Sequence, residues 1–342
     1  MCDKFRRLVA ETDPGIVTKM LAADPALVHR LRGAATSSEA PAFSGSSNRM
    51  VRVGNLLVRF SSADRDRLDL RLLREVDVLY AIRPHLGEMA SRLVYVGLGW
   101  SVHMFEEGCL LLDIAPRGQP VPRFLFAQLA DFFSELSKVS HRGLLRLREW
   151  PSNGDTAAVG RCLGAYAARF NRPEFRDLGI PAEPLRPIRF EKLTRRPFQL
   201  LHGDLHRGNV IIRPTGLVVV DWELALIGDA VYDMATHLHL MGYSEEEEEA
   251  ILGSWVERMP PWSIAGWQSD LPTYRQFGRV KSAIVDTIRV IKKFRKGGMS
   301  PGEEADLIVG LTSTLNAAGC SIWGWKAPLA PDQVATITRR LC

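Results

Sequence analysis

Between Met50 and Phe60 the stretch MVRVGNLLVRF places apolar runs on either side of Gly54-Asn55, the two-residue signal of a β-hairpin. Further along, Leu68, Leu72, Glu75, Leu79 and Ile82 recur at helical spacing, which predicts one helix ended by Pro84. Glu75 falls on this otherwise apolar stripe, where a carboxylate needs a partner. ASRLVYVG and WSVHMFEEG supply two more strand candidates. Ahead of this sheet-rich stretch, residues 1–40 alternate helical patterns with polar breaks up to TSSEAP and read as an N-terminal helical extension.

Past APRGQPVP the rhythm turns helical, over about 123–138, 156–170, 230–257, 273–296, 302–319 and 331–341. In the longest pattern Phe277, Val280, Ile284, Ile288 and Ile291 keep a 3.6-residue period, that of an amphipathic core helix. One interruption stands out. NVIIRP, a Thr215-Gly216 turn and LVVVD predict a hairpin inside the helical half.

Composition bounds the class without naming a function. The 342 residues, 46% hydrophobic and 24% charged, suit a soluble globular chain. No uninterrupted apolar run approaches the roughly 18 residues of a membrane helix, and no signal-peptide core opens the chain, so a cytoplasmic protein is expected. The five cysteines are odd in number and scattered, which argues against a disulfide framework or a zinc knuckle. A net charge of +5 raises the question of nucleic acid. The basic residues, however, are spread along the chain with no binding motif, and the densest group, RVIKKFRKGG, sits at a helix end where cations complement the dipole. The glutamates after Ser244 suit a capped helix start for the converse reason.

The chemistry gathers at the predicted hairpin. LLHGDLHRGNVIIRPTGLVVVDWE holds His202, Asp204, His206, Asn209, Asp221 and Glu223, and folding the hairpin brings its two polar ends to one mouth. Phosphoryl transfer needs a carboxylate to align and deprotonate the attacking hydroxyl, and oxygen ligands to hold magnesium against nucleotide phosphates. Asp204 suits the first task; Asn209 and Asp221 suit the second. Their spacing is that of a kinase catalytic loop and metal aspartate, with HGD-x-x-x-x-N for HRD-x-x-x-x-N and DWE for DFG.

On these residues the chain resembles the aminoglycoside phosphotransferase and choline kinase family. HGDLHRGN (His202 to Asn209), DWE ending VVVDWE (Val218 to Glu223) and GDAVYDMA (Gly228 to Ala235) follow in family order. The resemblance implies an α+β, bilobal protein-kinase-like fold, with a small antiparallel-sheet N-lobe over 41–107 and a larger, mainly helical C-lobe over 108–342. It implies that SGSSN, with Ser46 and Asn48, covers the nucleotide, that Arg59 grips its phosphates and that Glu75 fixes Arg59. The base would lie near Met104, Phe105 and Glu106, with Mg2+ on Asn209 and Asp221. Two departures stand out: arginine replaces the lysine of many kinases at position 59, and the covering loop has a single glycine, Gly45. Arginine keeps the role, because it is permanently charged and grips phosphate with two prongs. No Walker GxxxxGK[ST] occurs.

The expected activity is nucleotide-dependent transfer of phosphate from ATP or GTP to a small-molecule hydroxyl. The first acceptor class is an antibiotic, in resistance or producer self-protection, and the alternative is a metabolite such as choline, a sugar or an amino alcohol. Two other classes compete. A metallophosphoesterase shares the GDLH fragment but needs further His and Asp clusters that the sequence lacks, and a pseudokinase lacks one of Asp204, Asn209 or Asp221, all of which are present. His206 and Glu223 stay open between site and scaffold. No nucleic-acid or membrane partner is expected.

Overall fold

The Gly54-Asn55 signal folds as expected in the computed structural model, which describes residues 2–37, 42–44, 48–61, 71–144, 151, 154–168 and 171–342. Strand Asn48–Val53 pairs antiparallel with Leu56–Ser61 around a turn opened by Gly54 at φ +62°. Only glycine fits there, since a Cβ would stand 1.9 Å from the Val9 carbonyl oxygen. Asn55 donates its backbone N–H to that same oxygen and its side-chain amide to Ala10 O. These two strands join Ala42–Ser44 on one side and Trp100–Met104, then Leu93–Gly97, on the other, in a five-stranded antiparallel sheet.

The period of two decides which side chain faces where. Leu56 and Val58 are buried with Val51, Val94, Trp100 and Val102 in a cluster completed by Phe5, Leu8, Val17, Leu21, Leu27 and Leu31. Those last six come from three N-terminal helices, Asp3–Ala10, Pro14–Ala23 and Pro25–Thr36, which cover this face of the sheet. Asp13 and Asp24 cap the second and third, each accepting two backbone N–H groups ahead of a proline at the first helical position. Arg59, one residue out of step with Val58, emerges on the opposite face beside Ser101.

The helix expected across Leu68 to Pro84 is shorter at one end and longer at the other, running Glu75–Leu86. Leu68 lies outside the described residues and Leu72 precedes the helix, so Glu75 sits in the first turn rather than along a stripe. Pro84 is inside the helix, because so near the C-terminus its missing N–H forfeits only a bond of the last turn before Gly87 ends the helix. The long pattern at 230–257 divides into Ala230–Met241 and Glu245–Arg258. Gly242 takes the left-handed C-cap, and Ser244 with Glu247 forms a capping box for the next helix.

Backbone contacts divide the chain into two compact units. The first comprises Met1–Arg148, His202–Leu226 and Tyr243–Met259, and so holds the sheet together with the polar hairpin. Its helix Phe124–Ser137 packs on Glu245–Arg258, with Arg258 paired to Asp131 at 2.7 Å. The second comprises Glu149–Leu201, Ile227–Gly242 and Pro260–Cys342. Its spine is helix Trp267–Lys296, where Phe277, Val280, Ile284, Ile288 and Ile291 are buried as their rhythm predicts. Helix Pro301–Ala318 packs on that spine; with its continuation to Trp323 it is long and apolar enough by composition to cross a membrane, although polar residues interrupt its apolar run. A buried ion cluster ties this unit together. Arg196 grips both oxygens of Asp229 (2.9 and 2.6 Å) and reaches Asp270 (2.7 Å), while Tyr274 donates to Asp229 at 2.8 Å.

Two histidines of the first unit are buried. His103 lies in the sheet on the face of Arg59, and burial, reinforced by that guanidinium, lowers its pKa to about 3. His202 is fully buried and burial lowers its pKa to about 4, against weaker opposition from the Val220 carbonyl and Asp221. Each folded value is below the ordinary 6.5, so between 6.5 and the folded value the unfolded chain binds protons that the folded chain refuses. Stability therefore falls as pH drops through that window. For His202 alone the loss amounts to on the order of 3 kcal/mol by pH 4. Partly buried Glu75 and Glu106, whose carboxyls desolvation raises, act in the opposite sense and soften the decline. In urea denaturation between pH 7 and 4.5, His202→Asn is expected to be less stable at pH 7 but to decline less steeply on acidification; an unchanged slope would contradict the assignment.

Candidate active site

The polar segment folds as its hairpin pattern predicts, with Val210–Arg213 antiparallel to Gly216–Val219 and Val210 opposite Val219. At the mouth the Val220 N–H donates to Asn209 O at 3.0 Å, which joins the two polar ends. His202 reinforces the join. Its Nδ1 accepts the Asp204 N–H at 3.3 Å, so Nε2 carries the proton and donates to Val220 O at 3.1 Å. The ring packs against Trp222 and Phe132, with centroids 4.7 and 6.5 Å away. His202 is thus a brace that spans the turn.

Other residues of HGDLHRGN hold the turn from below. Gly203, at φ +77°, lies where a Cβ would come within 2.6 Å of Leu224 O. Arg207 is buried, and its Nη1 donates to Ala115 O, Pro116 O and Gln119 O at 2.7 to 3.0 Å. Asn209 donates Nδ2–H to Asp204 O at 2.9 Å, which directs its amide oxygen the other way. Asp221 follows the second strand at φ +65°, and among the described residues it is the one non-glycine with positive φ. That left-handed conformation costs about 1 kcal/mol or more and persists only where surroundings impose it.

The carboxylate presented there meets Arg59. Its Nη2 lies 2.7 Å from Asp221 Oδ1 and 3.0 Å from Glu223 Oε2, and its Nη1 lies 2.5 Å from Glu75 Oε1. Arg71 adds a second cation, 2.9 Å from Glu223 Oε2. Burial opposes the charge on Arg59, and the three carboxylates outweigh it, led by Glu75, so the guanidinium is held above its usual range. Burial raises the Glu75 carboxyl, with Arg59 the chief opposing influence.

Asp204, Asn209, Asp221, Arg59 and Glu75 thus converge within one compact unit. Glu223, open between roles in the sequence, is buried and paired to two arginines. The residues expected near the nucleotide base are engaged by the fold through their amides and side chains. Met104 N donates to Arg92 O, Phe105 N donates to Asn55 O with its ring 3.7 Å below the Arg52 guanidinium, and Glu106 pairs with Arg213 at 3.2 Å. Asn48 opens the second strand opposite Ser61, while Ser46 lies outside the described residues. Arg71 and Arg207 were not anticipated. Arg71 has no periodic signal, and Arg207 occupies a variable position of the motif.

No cluster of three His, Cys, Asp or Glu side chains suited to a metal exists among the described residues. The hairpin mouth offers instead the Asn209 amide oxygen and the Asp221 carboxylate, hard oxygen ligands of the kind magnesium takes with waters and phosphates completing its shell.

A model of the "Phosphotransferase enzyme family" matches residues 39–263. No curated protein matches by sequence. Among solved structures, the fold is similar to a choline/ethanolamine kinase family protein from Mesorhizobium loti (TM-score 0.54, 13% identity, covering 95% of this chain and 99% of that one). It is similar also to a macrolide 2'-phosphotransferase type I (0.53, 17%, 84% and 97%) and to Plasmodium vivax ethanolamine kinase (0.51, 14%, 86% and 88%). The chain belongs to the phosphotransferase enzyme family and has a protein-kinase-like α+β fold.

Proposed function

We propose that the protein transfers the γ-phosphate of ATP or GTP to a hydroxyl of a small molecule, an antibiotic first and a metabolite such as choline, a sugar or an amino alcohol second. The observation that carries this reading is the meeting of Asp204, Asn209 and Asp221 at one hairpin mouth, with Arg59 bound to Asp221. In this reading residues 41–107 bind the nucleotide and residues 108–342 supply the catalytic loop and the acceptor side. The base rests against main-chain groups near Met104 to Glu106, with Ser46 and Asn48 toward the phosphates. Glu75 holds Arg59, which exchanges part of its carboxylate contact for the incoming phosphates. Asn209 and Asp221 would hold Mg2+, which supplies charge neutralisation at the phosphates when bound.

Asp204 aligns the acceptor hydroxyl and takes its proton as the oxygen attacks phosphorus. Polycationic aminoglycosides call for a carboxylate-rich acceptor site, and beyond the Glu245 to Glu249 run the helical half displays no such excess. An antibiotic of lower charge fits better. The relatives include choline, ethanolamine and macrolide kinases, so both acceptor classes belong in one assay. Choline, ethanolamine, a sugar, an aminoglycoside and a macrolide, each incubated with Mg·ATP or Mg·GTP, should include one that gains the mass of one phosphate; gain by the macrolide alone supports the antibiotic reading.

Asp204→Ala should lower turnover by about 10² to 10⁴ while nucleotide binding persists. Retained turnover would remove Asp204 from the reaction. Asp221→Ala should abolish magnesium-dependent nucleotide binding in calorimetry, and equal affinity with and without the ion in the native protein would refute that assignment.

A further inference from the structure

His206 stands between Asp204 and Asn209 in sequence, and the function proposed above leaves it idle. Its Nδ1 accepts the Gly208 N–H at 3.0 Å, the bond that caps the short turn Arg207–Asn209. A nitrogen that accepts has no proton, so in this geometry the ring proton is on Nε2. That Nε2 faces Asp204 Oδ2 at 3.7 Å. The distance is too long for a hydrogen bond. Both groups remain about a third exposed, at 38% and 31%, so neither is locked away from an arriving substrate. Catalytic hydrogen bonds are commonly long before substrate arrives and tighten in the working complex.

We propose that His206 is a positioning residue for the phosphoryl transfer, its Nε2–H closing on Asp204 Oδ2 so that Oδ1 is the oxygen presented to the acceptor. The cap on Nδ1 is what makes this work. It fixes both the tautomer and the direction of the ring, so the one remaining N–H points at the carboxylate rather than at solvent. A carboxylate held by one oxygen cannot rotate away from the incoming hydroxyl. The acceptor O–H bond then breaks with its proton passing to Oδ1, the acceptor oxygen bonds to the γ-phosphorus, and the bond from that phosphorus to the bridging oxygen breaks. The nucleoside diphosphate leaves with the electron pair. This inference rests on Asp204 as the proton acceptor, and its test is arranged so that the two can fail separately.

The two ring nitrogens can be separated by substitution. In His206→Asn the amide oxygen takes the place of Nδ1 and keeps the cap, but nothing reaches Asp204. In His206→Gln the amide N–H takes the place of Nε2 and keeps the donor, but the cap is lost. Phosphate release from Mg·ATP or Mg·GTP with water as acceptor serves as the assay for the full chain, beside melting temperature and calorimetric affinity for the nucleotide. The proposal expects His206→Gln to stay close to wild type in kcat. It expects His206→Asn to lose about 10- to 100-fold in kcat, the usual cost of a lost orienting partner, with KM for nucleotide and melting temperature unchanged. The reverse order, Asn active and Gln impaired, would assign His206 to the cap alone and overturn the proposal, as would equal behaviour of the two. Asp204→Asn is the control: if it abolishes release while the His206 pair fails the test, only this inference falls, whereas full release by Asp204→Asn removes the reading beneath it.

Discussion

The contact on which the site depends is between one buried guanidinium and three carboxylates drawn from three places in the chain. Arg59 comes from a central strand, Glu75 from the first turn of a helix, and Asp221 and Glu223 from the end of a distant hairpin. A buried arginine without partners would be costly, and so would a buried Glu223, so each element has to arrive in register for the others to be tolerable. The period of two in the strand puts Arg59 on the face opposite the N-terminal helices. The left-handed turn at Asp221 brings its carboxylate round to meet it.

Around this contact the scaffolding is mostly neutral. His202 is kept uncharged by burial and works as a two-sided hydrogen-bonding strut, donating from one nitrogen and accepting at the other. Arg207, the exception, directs its charge at three backbone carbonyls. The motif that bears the chemistry is therefore half scaffold. Of its polar residues only Asp204 and His206 remain substantially open at the surface of the turn.

Much of this was legible in the sequence wherever a local rule governs it. Both hairpins followed from turn residues flanked by apolar runs, and the spine of the second unit followed from the rhythm of Phe277 to Ile291. The family followed from three short motifs in order. Failures came where position along an element matters more than its existence. The apolar spacing that includes Leu72 suggested a helix already under way, yet the chain enters it only at Glu75, and Pro84 was tolerated because so little helix remained beyond it. The 230–257 rhythm continued across Gly242, so apolar spacing alone concealed a break that glycine and a capping serine impose. Arg71 left no trace at all, since a salt bridge between residues 71 and 223 has no periodicity to betray it.

The N-terminal helices carry a practical consequence. They lock onto the hairpin through Val9 and Ala10, and their leucines complete the cluster over Val51, Leu56, Val58 and Val102. A chain that began at residue 37 would keep every inter-strand hydrogen bond of the sheet while losing the cover on its apolar side. Such a fragment would present a flat, sticky β-surface to water, so solubility tags and deletion boundaries belong at the outer end of these helices rather than between them and the first strand.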